Sequence, residues 1–137
     1  MSTEPFDHLD RELREAVDRW RQAGLPTPNV VAIAGSGLSV DLGAPLDAGP
    51  RHWGDLVPFE VDGIEGHGLT LELLRPIEDR VVLYSKGRLH AYQGYTPAEV
   101  VFPIRLAALL GAKVLLVTNA AGGLRLEQQA GSLMLIS

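Results

Sequence analysis

Cysteine is absent from this chain, and positive charge is scarce. Without cysteine the chain has no disulfide bond, no thiolate nucleophile and no cysteine-ligated metal site. Its 12 lysine and arginine residues are outnumbered by 17 aspartate and glutamate residues, which gives a formal net charge of -5. No basic run stands out in the sequence. The composition therefore argues against nucleic acid and anionic membrane surfaces as partners.

Long apolar runs are missing as well. No uninterrupted apolar stretch reaches the roughly 20 residues that a membrane-spanning helix needs, and residues 1–5 lack the basic segment that opens a secretory signal. We therefore expect a cytoplasmic protein with no membrane partner. No pair of histidines has the helical spacing of metal ligands, so we expect no bound metal. A length of 137 residues and an apolar fraction of 46% suit one compact domain with a buried core.

The first predicted helix follows from a capping signal and apolar periodicity. Asp7 can cap it, and Gly24 and Pro26 supply its end. Its apolar positions recur at helical spacing, at Leu9, Leu13, Ala16, Val17 and Trp20. This pattern predicts an amphipathic helix.

The second predicted helix opens on the capping box Thr96–Glu99, with Pro97 at the first helical position. Apolar residues continue to Leu110, and Gly111 supplies the end. Pro103 lies inside this helix and should kink it or delay its regular part, because proline removes a backbone donor and clashes with the preceding turn.

Short apolar runs predict the strands of a sheet. They are Val30–Ala34, Leu69–Leu74, Arg80–Tyr84, Val114–Val117 and the residues 131–137. The first and fourth are continuously apolar, as in strands buried on both faces. The second and third should pair antiparallel around a turn at residues 75–79, where Pro76 sets the turn conformation. The stretch from 42 to 68 is expected to be irregular, and the alternation of strands with helices indicates an α/β fold with a partly parallel sheet.

The segment Gly87–Tyr95 gathers more chemistry than any other part of the sequence. Arg88 offers a planar fork of donors that matches an oxyanion, and His90 adds a titratable ring. If the segment is extended, Tyr92 shares one face with both of them. The pattern indicates an oxyanion site, and the alternative is a solvated strand end with ordinary polar side chains.

Three further segments are open to two interpretations each. Gly35–Gly37 after a buried strand can present amides and a hydroxyl to an anion, or form a plain tight turn; the glycine spacing of a dinucleotide site is not present. Residues 118–123 follow another predicted strand, where open α/β sheets bind ligands, but their glycines also suit close packing of backbone. His67 lies between two glycines and is either a ligand-binding residue or, as its local context favours, an exposed surface residue.

Taken together, four blocks of the sequence resemble the trimeric purine nucleoside phosphorylase family in order and spacing. These blocks are Gly35–Leu38, Gly66–Gly68, Gly87–Tyr95 and Thr118–Leu124. The resemblance implies a nucleoside phosphorylase-like mixed central sheet flanked by helices, incomplete in this chain. It also implies phosphorolysis of purine ribo- or deoxyribonucleosides to the free base and the sugar 1-phosphate, within a homotrimer and without a cofactor, since phosphate is a co-substrate.

The resemblance assigns roles to individual residues. The hydroxyl and amide of Ser36 and the side chains of His67, Arg88 and His90 are expected to hold phosphate. Together with them, the amide of Ala120 is expected to contact phosphate and nucleoside. Tyr92 is expected to touch the ribose. His90 is the expected catalytic residue, because an imidazole can tune the charge of phosphate near neutral pH.

The sequence departs from the family pattern in three places. Gln93 stands where the family commonly has glutamate, which removes a carboxylate that could orient and charge His90. Ser39–Asp41 replaces a glycine-rich continuation. The family's chains are also much longer, so residues 1–137 are expected to be the amino-terminal part of a single phosphorylase domain, without the groups that recognise the purine.

We therefore expect the isolated chain to bind phosphate weakly and to show no useful turnover. Two alternatives stay open at the level of the sequence. One is a non-catalytic module, derived from a phosphorylase, that binds anions or mediates oligomerisation. The other is a relative of the methylthioadenosine phosphorylases, whose motifs this sequence resembles less.

Overall fold

A four-stranded mixed sheet is the centre of the fold, in a computed structural model that describes residues 4–35, 41–46, 49, 52–61 and 69–136, with the backbone alone for residues 4–8. The strands are β1 (Val30–Ala34), β2 (Thr70–Ile77), β3 (Arg80–Lys86) and β4 (Val114–Val117). They lie in the order β2-β3-β1-β4. β1 runs parallel to β3 and to β4, whereas β2 is antiparallel to β3. The predicted α/β class with a partly parallel sheet agrees with this arrangement.

Among the described residues, two α-helices accompany the sheet, α1 (Glu4–Gln22) and α2 (Pro97–Leu110). α1 begins before Asp7, so the predicted cap at that residue is wrong. The helix extends further because Pro5 stands in its first turn, where a backbone N–H has no intrahelical partner to lose. Two short 3-10 helices, Trp53–Asp55 and Ala91–Gln93, lie in the connections.

The predicted start and end of α2 are confirmed. The Thr96 amide donates to the Glu99 carboxylate at 2.7 Å, and the Glu99 amide donates to the Thr96 hydroxyl at 3.3 Å. Gly111 ends the helix with a φ of 119°, which favours glycine. The helix continues through the buried Pro103, so its regular part is not delayed by the proline.

The hairpin of β2 and β3 differs from the predicted one. β2 extends to Ile77, so Pro76 lies within the strand and the turn consists of Glu78 and Asp79. The strand accommodates proline because β2 is at the edge of the sheet and its register shifts between Leu74 and Ile77.

Both helices pack on one face of the sheet. The larger core cluster combines Trp20 of α1 and Phe102 of α2 with Leu83 of β3, and all three are almost fully buried. A smaller cluster on the other face includes Ala32 and Tyr84. The expectation of helices around the sheet is therefore met on one face in the described part of the chain.

Two predictions near the end of the sequence are wrong. The side chains of β4 are 47% to 54% exposed, although a strand buried on both faces was expected. Among the described residues β4 pairs with β1 alone, so its other edge lacks a neighbour. Residues 131–136 form no strand, because an apolar run becomes a strand only when another strand pairs with it.

Candidate functional site

The candidate site lies where three parallel strands end. β1, β3 and β4 share one direction, so their carboxyl ends meet at the same edge of the sheet. The residues that follow them are Gly35, Gly87 with Arg88, and Thr118. Ligands of open α/β sheets commonly bind outside such an edge. The topology therefore brings three of the sequence motifs to one place.

Thr118 joins these three strand ends through its hydroxyl and its carbonyl group. The Gly35 amide donates to Thr118 Oγ1 at 3.0 Å, and Arg88 Nη1 donates to the Thr118 carbonyl oxygen at 3.0 Å. The Thr118 amide donates to the Ile33 carbonyl oxygen, also at 3.0 Å. One residue thus holds the start of the Gly35 loop, the Arg88 guanidinium and the end of β4 together.

The close approach of the backbone explains Gly35. A Cβ at this position would overlap the Thr118 carbonyl oxygen and would lie 3.0 Å from the Asn119 Cα. Both obstacles are backbone atoms, which do not move aside as a flexible side chain does. The structure therefore supports close packing of backbone between Gly35 and residues 118 and 119.

Arg88 is the cation of the site. It is partly buried, and its bond to Thr118 engages one arm of the guanidinium. A guanidinium carries five N–H donors in a rigid fork, so an arginine fixed by one arm can still present donors to an oxyanion. This arrangement suits binding of phosphate at the edge of the sheet.

The predicted extended path from Arg88 to Tyr92 is wrong beyond His90. His90 has extended backbone, with φ -128° and ψ 140°, but Tyr92 lies in the 3-10 helix that follows. The turn forms because the Gln93 side-chain oxygen accepts from the His90 amide at 2.9 Å, and Gly94 adopts a φ of 96°. The two aromatic rings still meet: those of His90 and Tyr92 stack with centroids 4.7 Å apart and an interplanar angle of 18°.

This geometry gives Gln93 a structural role. Its side-chain oxygen holds the backbone of His90, a function that an amide oxygen performs as well as a carboxylate oxygen. Tyr92 is 74% exposed. The pair therefore offers a stacked imidazole and an accessible phenol next to Arg88 in sequence.

The structure accounts for only part of the expected phosphate-binding set. Ala120 is exposed and lies two residues after Thr118, so Arg88 and Ala120 belong to the same edge. The Asn119 side-chain amide donates to the Ala120 carbonyl oxygen at 3.2 Å. Ser36 and His67, which the sequence predicts to bind phosphate, lie outside the described residues.

Three residues with a part in this region were not assigned a role from sequence. Thr118 was noted as part of a motif only. Ser85 and Trp53 form a buried hydrogen bond of 2.8 Å near the end of β3. The signal in the sequence is a serine in an otherwise apolar strand pattern, but its tryptophan partner is 32 residues away and no local rule connects them.

The described residues contain neither a candidate metal cluster nor a candidate membrane-spanning helix. Within those residues no group of three or more histidine, cysteine, aspartate or glutamate side chains could hold a metal ion. No helix in the same part of the chain has the length and apolar character needed to cross a membrane.

Comparison with known protein sequences identifies related proteins. A sequence model of the Phosphorylase superfamily matches residues 29–137. Purine nucleoside phosphorylase 1 of Bacillus subtilis is 38% identical over 111 residues, which cover 81% of this chain and 41% of that protein. Purine nucleoside phosphorylase of Mycobacterium tuberculosis is 37% identical over 135 residues, which cover 96% of this chain and 48% of that protein. The chain thus spans less than half the length of these relatives.

Solved structures show the same fold. A crystal structure of isoform 2 of purine nucleoside phosphorylase from Schistosoma mansoni, in complex with cytosine and ribose-1-phosphate, matches with a TM-score of 0.73 at 30% identity. The match covers 88% of this chain and 42% of that one. A Schistosoma mansoni purine nucleoside phosphorylase in complex with inosine matches with a TM-score of 0.68 at 30% identity, over 87% of this chain and 41% of that one. The expected nucleoside phosphorylase-like sheet is confirmed, and this chain belongs to the Phosphorylase superfamily.

Proposed function

We propose that this chain carries the phosphate-binding part of a purine nucleoside phosphorylase active site. In the proposed reaction, phosphate attacks the anomeric carbon of a purine ribo- or deoxyribonucleoside and the purine base leaves. The observation that carries the proposal is the fixed Arg88 guanidinium at the carboxyl edge of the sheet, bonded to the same Thr118 that accepts the Gly35 amide.

Phosphate binding at this position would stabilise charge in the transition state. As the bond to the base breaks, positive charge develops on the sugar, and a phosphate dianion held beneath the anomeric carbon stabilises that charge. Arg88 fixes the anion before the reaction, so orientation is established when the nucleoside binds. The clamp thus supplies geometry and electrostatics together.

The other residues have proposed roles around this anion. His90 contacts phosphate and adjusts its charge as the catalytic residue, and the exposed Tyr92 lies against the ribose. The Ala120 amide faces phosphate and nucleoside, while Ser36 and His67 complete the phosphate contacts. Relatives of known structure support the substrate class, since those from Schistosoma mansoni are complexes with ribose-1-phosphate and with inosine.

We propose that residues 1–137 are the amino-terminal part of one phosphorylase domain, because they span 41% to 48% of the length of the relatives compared above. Recognition of the base then depends on residues outside this sequence. The protein would act in the cytoplasm as a homotrimer, with phosphate as co-substrate and no cofactor.

The test is phosphorolysis of inosine, followed as release of hypoxanthine. This chain alone should show no useful turnover, whereas a longer polypeptide that covers the relatives' full length should be active in the presence of phosphate. Robust turnover by this chain alone would contradict the proposed dependence on further residues. Activity of the longer polypeptide on methylthioadenosine but not on inosine would contradict the proposed substrate class.

A further inference from the structure

Ser85 is a polar residue at a buried position of the sheet, where apolar residues are usual. It lies in β3 with an exposure of 1%, and in the described part of the chain it is the one polar side chain among the buried residues. The alternation along the strand directs it to the same face as Val81 and Leu83, towards the larger core. Burial of a hydroxyl costs free energy unless it forms hydrogen bonds, so the partners of Ser85 determine whether this position is stable.

Its hydroxyl connects the core to the candidate site. The indole N–H of the buried Trp53 donates to Ser85 Oγ at 2.8 Å. Ser85 Oγ in turn donates its proton to the Gly87 carbonyl oxygen at 2.6 Å. A hydroxyl has one proton to donate, and here that proton is used on the backbone immediately before Arg88.

Gly87 is the bend between β3 and the site. Its φ of 119° is a conformation that glycine adopts easily and other residues rarely adopt. Its amide donates to the carbonyl oxygen of Ala34, the last residue of β1, at 3.2 Å. Both polar groups of the Gly87 backbone are thus held, one by β1 and the other by Ser85.

We propose that Ser85 and Trp53 are positioning residues for the phosphate site, a role that rests on the function proposed above. Together they fix the peptide group between Gly87 and Arg88. This peptide sets the direction in which the Arg88 side chain leaves the backbone towards Thr118. Without the Ser85 bond the peptide can rotate, so a smaller fraction of molecules holds Arg88 in the binding geometry and phosphate affinity falls.

The experiment compares single variants of this chain by phosphate titration and thermal unfolding. Ser85→Ala should raise the phosphate Kd by about three- to tenfold, the change expected from loss of one ordinary hydrogen bond. Trp53→Phe removes the hydrogen bond from the indole to Ser85 but keeps the bond from Ser85 to Gly87. It should therefore raise the phosphate Kd less. The matched control is Val81→Ala, which creates a cavity at the opposite end of the same strand. It should lower the Tm but leave the phosphate Kd unchanged.

A second readout reports the position of Arg88 without phosphate. The guanidinium resonances of Arg88 should shift in Ser85→Ala and stay unchanged in Val81→Ala, measured by NMR below the Tm of each variant. If Ser85→Ala does not fold, Ser85→Cys serves in its place, because it keeps nearly the same size with a weaker donor. The same direction of change is expected.

Different results would overturn the positioning role of Ser85 and the phosphate site itself. An unchanged phosphate Kd and unchanged Arg88 resonances in Ser85→Ala, together with lost binding in Arg88→Ala, would overturn the positioning role and leave the phosphate site intact. Absence of saturable phosphate binding in the unmodified chain would overturn the proposed function, and the positioning role with it.

Discussion

At the scale of single residues, Thr118 determines how the candidate site is assembled. Its hydroxyl accepts from the Gly35 amide and its carbonyl oxygen accepts from Arg88, so side chain and backbone of one residue serve two different loops. Substitution of the side chain removes the contact with the Gly35 amide and the weaker bond from the hydroxyl to the Ile33 carbonyl oxygen, at 3.5 Å, but keeps the contact with Arg88. The contribution of the Gly35 loop can therefore be measured separately from that of Arg88.

Thr118→Val tests this contribution. Valine has the shape of threonine but no hydroxyl, so the Gly35 amide loses its acceptor and stability should fall by about 1 kcal/mol. Phosphate affinity should also fall by about three- to tenfold, since the loop that leads to Ser36 is no longer held. Thr118→Ser keeps the acceptor and should behave like the unmodified chain in a calorimetric titration; equal affinities for the valine and serine variants would contradict the role.

Gly35→Ala is expected to be damaging for a different reason. The added methyl group would overlap the Thr118 carbonyl oxygen, so either the loop or β4 must shift, at a cost of about 1–3 kcal/mol. Gly122→Ala is a suitable control, because its Cβ would meet nothing within 4 Å. Urea unfolding should show a large change for the first variant and less than about 0.5 kcal/mol for the second. Similar midpoints for the two variants would show that Gly35 is not closely packed.

At the scale of secondary-structure elements, α2 depends on interactions that lie within a few residues. Thr96→Ala removes the acceptor of the Glu99 amide and should destabilise the protein by about 1 kcal/mol. Thr96→Ser keeps the hydroxyl and should retain most of the stability, as measured by thermal unfolding. Equal losses in the two variants would mean that the capping bond does not stabilise α2.

The elements that could be predicted from the sequence are those with local signals. The ends of α2 and the bounds of β1 were predicted correctly because a capping box, a terminal glycine and an apolar run are local signals. The burial of β4 and a strand at residues 131–136 depend on neighbours that no local pattern reveals. Pro76 was predicted to lie in a turn. Its actual place within β2 is tolerated because that strand is at the edge of the sheet, which no local pattern reveals.

The candidate site was also predicted only in part. The contact of Arg88 with Thr118 follows from the shared edge of parallel strands, and the alternation of elements indicates that part of the sheet is parallel. The turn at Tyr92 was missed, because the Gln93 contact to His90 competes with an extended backbone. The bond between Trp53 and Ser85 joins positions far apart in sequence and becomes visible only in the fold.

At the scale of the whole molecule, most of the exposed large apolar side chains in the described part of the chain belong to β4 and to the residues that follow it. The four residues of β4 are about half exposed, and the later apolar residues Leu124, Leu126, Leu133, Met134, Leu135 and Ile136 are 70% to 100% exposed. An apolar strand with an unpaired edge is a template for association. We therefore predict that this chain associates with itself as its concentration rises.

Analytical ultracentrifugation tests this prediction. The apparent mass of this chain should rise with concentration, and Leu116→Lys should reduce the effect because a charge on β4 opposes strand pairing. Gln22→Lys adds the same charge at an exposed position at the end of α1 and should leave the association unchanged. A chain that stays monomeric at high concentration would contradict the prediction, as would equal effects of the two variants.

Phosphate titration of this chain, followed by NMR, tests whether Arg88 forms a phosphate site at the carboxyl edge of the sheet. The amide resonances of Gly35, His90 and Ala120 should shift together and saturate. Arg88→Ala should abolish the saturable response, whereas Arg80→Ala, an exposed arginine at the opposite end of β3, should preserve it. Absence of saturation in the unmodified chain, or equal losses in the two variants, would show that Arg88 does not form a phosphate site.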